Sequence, residues 1–258
     1  MGALVFLIDF MIVALRGFLF SFLLALCGCE ERKDDSVITF GTSADYRPFE
    51  YYEDGKLTGF EIDLANAIAN KLGKTANFED MPFSSLLAGL ENGTIDAVAS
   101  SLVPTEERRR NYDFTVEYYG SVIAFIHGRD NDRMSTDDLS GVKIACQLGS
   151  VPEAWMKKNR PKAEIVTIDN VAQSVELIRA GRVDGILVDG IIASTICRDN
   201  PDLKYTVVDS PAESADNGFA MAVKKGSTLR ELLDNAIQQL DDSGELRAIK
   251  EKWNLVSE

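Results

Sequence analysis

VITFGTSADYRPFEYYEDGKLTGFEIDLANAIANKLG, residues 37–73, carries the pattern that decides the architecture of this chain. Val37 to Gly41 is a β-branched run closing on glycine, as expected of a short strand. A loop with Pro48 and the turn pair Asp54-Gly55 follows. Phe60, Leu64, Ala67, Ile68 and Leu72 then recur at helical spacing until Gly73 stops them. The order is strand, loop, helix.

On the C-terminal side the same order repeats. Ala76 to Glu79 reads as a strand, Ser84 to Glu91 as a helix, and Ile95 to Ala99 as a strand leading into Ser100-Ser101. A second series starts with strand Val142–Cys146 and continues as helix Pro152–Asn159, strand Glu164–Ile168, helix Val171–Arg179 and strand Val183–Val188. Strands alternating with helices predict an α/β fold with mainly parallel, covered sheets, and two such series predict two lobes. Tyr118–His127 is an apolar run long enough to cross between lobes, and Gly218–Val223 suits the return. Ser227–Trp253 holds two amphipathic helices broken near Ser243-Gly244 and is expected to pack on the first lobe. The second lobe, 121–218, is therefore an insertion between residues 37–120 and 219–258 of the first.

The 258 residues are 45 % apolar, enough to bury two modest cores. Lys and Arg number 27 against 41 Asp and Glu, a formal charge of −14, which argues against nucleic acid or an anionic membrane surface as partner. His127 is the only histidine, and neither CxxC nor HExxH occurs. A His-based zinc site or a Ser-His-Asp triad has almost no raw material, so no metal or cofactor is expected. Cys146 and Cys197 either pair or stay as free thiols; the sequence leaves both open.

Leu4 to Leu26 is almost wholly apolar, interrupted by Asp9 and Arg16, and belongs to targeting. Met1–Phe10 fits a secretory n-region poorly, whereas Met11–Arg16 supplies a basic leader and Gly17–Leu26 an apolar core of the usual ~7–15 residues. Met1 and Met11 both stand as starts. A transmembrane anchor is the competing reading, disfavoured because Asp9 would sit in lipid at a cost of about 3 kcal/mol. Leu26-Cys27-Gly28-Cys29 resembles the lipobox of bacterial lipoproteins. That implies residues 1–28 as a cleaved signal, Cys29 as the lipidated first residue and 29–36 as a solvated linker.

Gly59-Phe60-Glu61-Ile62-Asp63-Leu64, with Ile68-Ala69 and Leu72 after it, resembles the signature of the family 3 solute-binding proteins of bacteria, which bind amino acids for ABC importers. Pro48-Phe49-Glu50, Asp96, Thr105-Glu106-Glu107-Arg108, Ala180–Asp184, Gly244-Glu245-Leu246 and Lys252-Trp253 fall in the family's order. The resemblance spans about Val37 to Leu255. It implies a two-lobed clamp like the type II periplasmic binding proteins, with two hinge strands and a ligand in the cleft between the lobes.

An α-amino acid brings a carboxylate and an ammonium, and a cleft that buries them must satisfy both. The resemblance assigns the carboxylate to Arg108, whose planar fork offers two parallel charge-assisted hydrogen bonds, and the ammonium to Asp189 after Gly185–Val188. On local sequence alone, Arg108 is one more charge in Arg108-Arg109-Arg110, and Asp189 serves equally as a helix N-cap. Ser100 and Ser101 match positions beside the ligand backbone. Ser150 reads as an N-cap with Pro152 in the first turn, which leaves N–H groups for the carboxylate. Gln147, just upstream, is placed to reach the ligand side chain. Tyr46 and Phe83 match two aromatics that sandwich that side chain in relatives.

Three positions depart from the family pattern. Ser43 stands where relatives often have Asp, which weakens the case for a Lys, Arg or His ligand. Val103 offers an N–H but no hydroxyl, and Val151 replaces a frequent hydroxyl residue. Asp45 or Glu50 would restore an acid near the side chain, so the ligand is expected among polar amino acids, Gln and Arg foremost. The expected function is capture of that amino acid by a monomeric, lipid-anchored protein on the periplasmic or extracytoplasmic face of a bacterial membrane, for delivery to an ABC permease. Catalysis is not expected. The competing reading is a lyase of the cyclohexadienyl-dehydratase type on the same fold, with Glu50, Asp45 or Glu153 as its acid or base.

Overall fold

In the computed structural model, which describes residues 34–120, 122–131, 139–208 and 218–256, the opening stretch forms strand, ribbon and helix. β1 (Val37–Thr42) leads into a small antiparallel ribbon of β2 (Asp45–Tyr46), β3 (Glu50–Glu53) and β4 (Lys56–Thr58). α1 (Phe60–Lys71) then returns to β5 (Thr75–Asp80). A 3-10 turn, Phe83–Ser85, precedes α2 (Leu86–Asn92), β6 (Ala97–Val98), α3 (Glu106–Asn111), β7 (Tyr112–Phe114) and the crossing strand β8 (Tyr119–Gly120). The second series is β9 (Ile123–Gly128), β10 (Lys143–Gln147), α4 (Val151–Asn159), β11 (Glu164–Ile168), α5 (Ser174–Arg179), β12 (Gly185–Asp189), α6 (Gly190–Asp199) and β13 (Leu203–Val207). β14 (Gly218–Phe219) crosses back to β15 (Ala222–Lys224), α7 (Leu229–Asp242) and α8 (Glu245–Lys252). The signal segment, the lipobox and Cys29 lie outside the described residues.

Two five-stranded sheets result, ordered β5-β1-β6-β15-β7 and β11-β10-β12-β9-β13, and both belong to one unit, Ser36–Glu258. β5, β1 and β6 are parallel, as are β11, β10 and β12. β15 and β9 run against their neighbours on both sides. Each reversed strand follows a crossing, so it starts at the edge where the parallel strands end and must run the other way. Each sheet is mainly parallel, as expected, with four strands running one way and a single strand reversed.

The crossing itself is the antiparallel pair β8–β14, with Tyr119 opposite Phe219 and Gly120 opposite Gly218. The residues of the opening stretch grip this pair. Phe49 lies 5.1 Å from both the Tyr119 and Phe219 rings and 5.8 Å from Phe60 at the start of α1. These edge-on contacts suit the quadrupoles of the rings; Phe49, Phe60 and Phe219 are buried in one cluster, and the half-buried Tyr119 packs against it. Gly59 is placed there at φ 136, where a Cβ would collide with the Phe49 carbonyl, so only glycine fits. On the outer side of α1, Asp63 Oδ2 accepts from Lys252 Nζ and Trp253 Nε1, each at 2.7 Å, which fastens the C-terminal helix to the first lobe.

Several boundaries differ from the sequence reading. The apolar run Tyr118–His127 contributes two strands, β8 to the crossing pair and β9 to the interior of the second sheet. The strand expected over Ile95–Ala99 pairs only at Ala97–Val98. The helix expected from Val171 starts at Ser174, since the Asn170 carboxamide accepts from Gln173 N at 3.1 Å and holds a turn first. Cys146 on β10 and Cys197 on α6 are both free thiols. Burial pushes them up to about 12 and about 11, so neither is a thiolate at neutral pH.

Candidate functional site

Ser43 follows β1, Ser100 and Ser101 follow β6, and Gln147 and Asp189 end β10 and β12. All sit at the C-terminal ends of parallel strands, where open α/β sheets hold their ligands. Here the ends from both sheets converge. Ser43, Tyr46, Phe83, Ser100, Ser101, Val103, Arg108, Gln147, Ser150, Val151 and Asp189 line one pocket, together with Asp45, Glu50 and Pro152.

Arg108 reaches the pocket from the first turn of α3, which Thr105 caps by accepting from the Arg108 N–H. Its Nη1 donates to Val103 O at 2.7 Å and its Nη2 to Gly149 O at 2.8 Å, so the fork is anchored on both lobes. Its Cζ lies 5.8 Å from the centroid of the Phe83 ring, a cation–π arrangement. Burial lowers its pKa to about 10, which leaves it cationic at neutral pH. Val103 thus contributes a carbonyl to the arginine, a role its lack of a hydroxyl did not suggest.

Asp189 stands at the N-cap position of α6, yet its side chain makes no capping bond. Instead the Tyr46 hydroxyl donates to its Oδ2 at 2.5 Å across the cleft. Tyr46 is therefore more than the aromatic wall read from sequence, because its polar end bridges the lobes. Ser150 caps α4 by accepting from Glu153 N at 3.2 Å. The Glu153 carboxylate accepts from Gly149 N at 2.9 Å and pairs with Lys157 at 2.7 Å, which commits it to that turn.

A network of short side chains forms the floor. Ser100 Oγ accepts from Ser43 N and donates to Glu50 Oε1, both at 3.0 Å, and Ser101 Oγ donates to Glu50 Oε2 at 3.4 Å. Ser101 has φ 48, a left-handed conformation unusual for a residue with a Cβ, and its N–H donates to Glu61 Oε1 at 2.8 Å. Glu61, the acid of the Gly59–Leu64 stretch, thereby holds the bend that aims two hydroxyls at Glu50. Both carboxyls are buried, and desolvation raises both pKa values. For Glu50 the neighbouring Glu61 charge adds to the rise. Asp45 accepts from Ser43 Oγ at 3.2 Å and from Val171 N at 2.5 Å, and burial pushes it up to about 6.

Asp45 and Glu50, named from the sequence as acids near the ligand side chain, line the pocket, and so does Pro152, which was read only as part of a helix start. The signal for Glu50 was its place in Pro48-Phe49-Glu50. Its burial depends on the β2–β3 pairing, Tyr46 opposite Glu50, which the short alternating run did not reveal.

The family model described as bacterial extracellular solute-binding proteins, family 3, matches residues 38–256. Among curated proteins, the chain is 34 % identical to the arginine-binding extracellular protein ArtP of Bacillus subtilis over 239 residues, covering 90 % of this chain and 93 % of that one. It is 31 % identical to the L-cystine-binding protein TcyJ of Escherichia coli, covering 86 % and 84 %. Among solved structures, an ancestral arginine-binding protein bound to arginine superposes with a TM-score of 0.79 at 32 % identity, covering 84 % of this chain and 98 % of that one. An ancestral arginine-binding protein bound to glutamine gives a TM-score of 0.79 at 32 % identity, covering 86 % and 99 %.

Proposed function

Because the chain belongs to the bacterial extracellular solute-binding proteins, family 3, we propose that it captures one polar amino acid and presents it to an ABC permease. One observation carries this reading: a cation and an anion, Arg108 and Asp189, line a single pocket from the two lobes. Arg108 takes the ligand carboxylate and Asp189 the ammonium, with Ser100, Ser101 and the N–H groups at the start of α4 completing the backbone subsite. Tyr46 and Phe83 flank the ligand side chain. The lobes close on the ligand because each holds one of its charges. Cys29 carries the lipid that keeps the protein at the extracytoplasmic face of the membrane.

The hydrogen-bonding groups of the pocket support a donor-rich ligand side chain. Glu50 and Gln147 line it with acceptor oxygens. The Ser100 hydroxyl donates to Glu50, so it turns a lone pair towards the ligand. Arginine fits this lining, with glutamine next, and both appear in complexes of ancestral arginine-binding proteins. The lyase reading has Glu50, Asp45 and Glu153 as candidate acids; the hydrogen bonds that already engage each of them favour binding over proton transfer.

A thermal-shift screen against the twenty amino acids tests the proposal. A ligand at a hundred times its Kd adds about 2.7 kcal/mol of stability and raises Tm visibly. Arginine or glutamine is expected to give the largest shift. No shift with any amino acid, together with no carried-over ligand by mass spectrometry of the denatured protein, would overturn it.

A further inference from the structure

Asp45 lies on β2 of the first lobe, and Val171 opens the turn before α5 in the second, 126 positions along the chain. Asp45 Oδ2 accepts from the Val171 N–H at 2.5 Å, and its Oδ1 accepts from Ser43 Oγ at 3.2 Å. Both oxygens are thus engaged by protein groups, and the residue is only 8 % exposed. Val171 is held in place on its own side, buried in the core and bonded through its carbonyl to Ser174 N. Among the described residues, the bonds between Tyr46 and Asp189 and from Arg108 to Gly149 also span the pocket, and they use groups assigned to the ligand; in the Asp45–Val171 bond neither partner is assigned a ligand charge.

We propose that Asp45 is a positioning residue that latches the two lobes together and so sets the affinity for every ligand alike, rather than a contact for the ligand side chain. The proposal rests on the clamp function above. In a clamp, the apparent affinity scales with the fraction of molecules in the binding-competent form. A charge-assisted bond made between lobes only when they meet raises that fraction whatever the cleft contains. It slows release, since opening must break it, and leaves the encounter rate unchanged.

The test compares Asp45→Ala and Asp45→Asn with the wild type by calorimetry against arginine and glutamine, with release rates by stopped flow. The alanine variant is expected to raise both Kd values by the same factor, about tenfold or more, with the increase in koff. The asparagine variant keeps an acceptor oxygen for Val171 N–H and is expected to recover most of that loss. Arginine binding lost equally in both variants while glutamine binding is untouched would overturn the latch and make Asp45 a charge partner for the side chain. Unchanged Kd values in the alanine variant would overturn it too. If the wild type binds neither probe, the proposed function fails, and the latch is read from small-angle scattering: a larger radius of gyration for Asp45→Ala supports it, and identical radii overturn it.

Discussion

Arg108 and Asp189 are expected to be the residues whose loss binding tolerates least. Each would leave one ligand charge buried without a partner, and truncating one member of such a pair costs about 2–5 kcal/mol. Arg108→Ala and Asp189→Ala should each weaken ligand binding by that amount in calorimetry, while circular dichroism stays native. Wild-type affinity in both variants would remove them from the site. At this scale, the two charges were legible through the family resemblance. On local chemistry alone, the guanidinium after Thr-Glu-Glu is one charge in a basic run and the carboxylate ending an apolar strand reads equally as a helix N-cap. What Tyr46 does with its hydroxyl, or Val103 with its carbonyl, is settled by partners on other elements and leaves no trace in the neighbouring sequence.

Among the elements, the Gly59–Leu64 stretch does more than start a helix. Phe60 packs on Phe49, which packs on both crossing strands, while Glu61 fixes the Ser101 bend and Asp63 ties down α8. Gly59 permits the close approach on which this assembly depends. Gly59→Ala is therefore expected to destabilise the protein by at least ~2 kcal/mol, from strain at a positive φ and a backbone collision. Urea unfolding would show it as a lower midpoint; an unchanged midpoint would mean the helix start can move aside. Periodicity located the helices and strands because it follows from which face is buried. Short strands such as β2, β4 and β7 escaped it, since two or three residues carry no period and are defined only by the strand beside them.

For the whole molecule, buried acids and exposed ion pairs pull the pH dependence of stability in opposite directions. Asp45 titrates near 6 in the folded protein against an ordinary 3.8, so the stability it contributes is full below about 4 and is lost as pH rises through 6. Glu50 and Glu61 are raised by burial and act in the same direction. Asp113, Asp202 and Glu245 are lowered by Lys225, Arg179 and Lys71, so their contribution is present above the usual carboxylate range and is lost in acid. Those pairs are solvent-screened and weigh less than the buried acids. Tm should therefore be highest near pH 5 and fall by at least ~2 °C towards pH 8, and Glu61→Gln should flatten that fall. A scanning-calorimetry profile that rises across this range would contradict the assignment of the buried acids.

The sequence by itself determined the α/β alternation, the two series, the return of the C-terminal helices and the family, because burial periodicity and a contiguous motif are one-dimensional signals. Only the tertiary structure decided which side chains share an atom across the cleft. Asp45 with Val171, Tyr46 with Asp189 and Arg108 with Gly149 meet because two separately formed sheets bring their strand ends together. Such pairings depend on distances between residues 41 to 143 positions apart, and no local pattern encodes them.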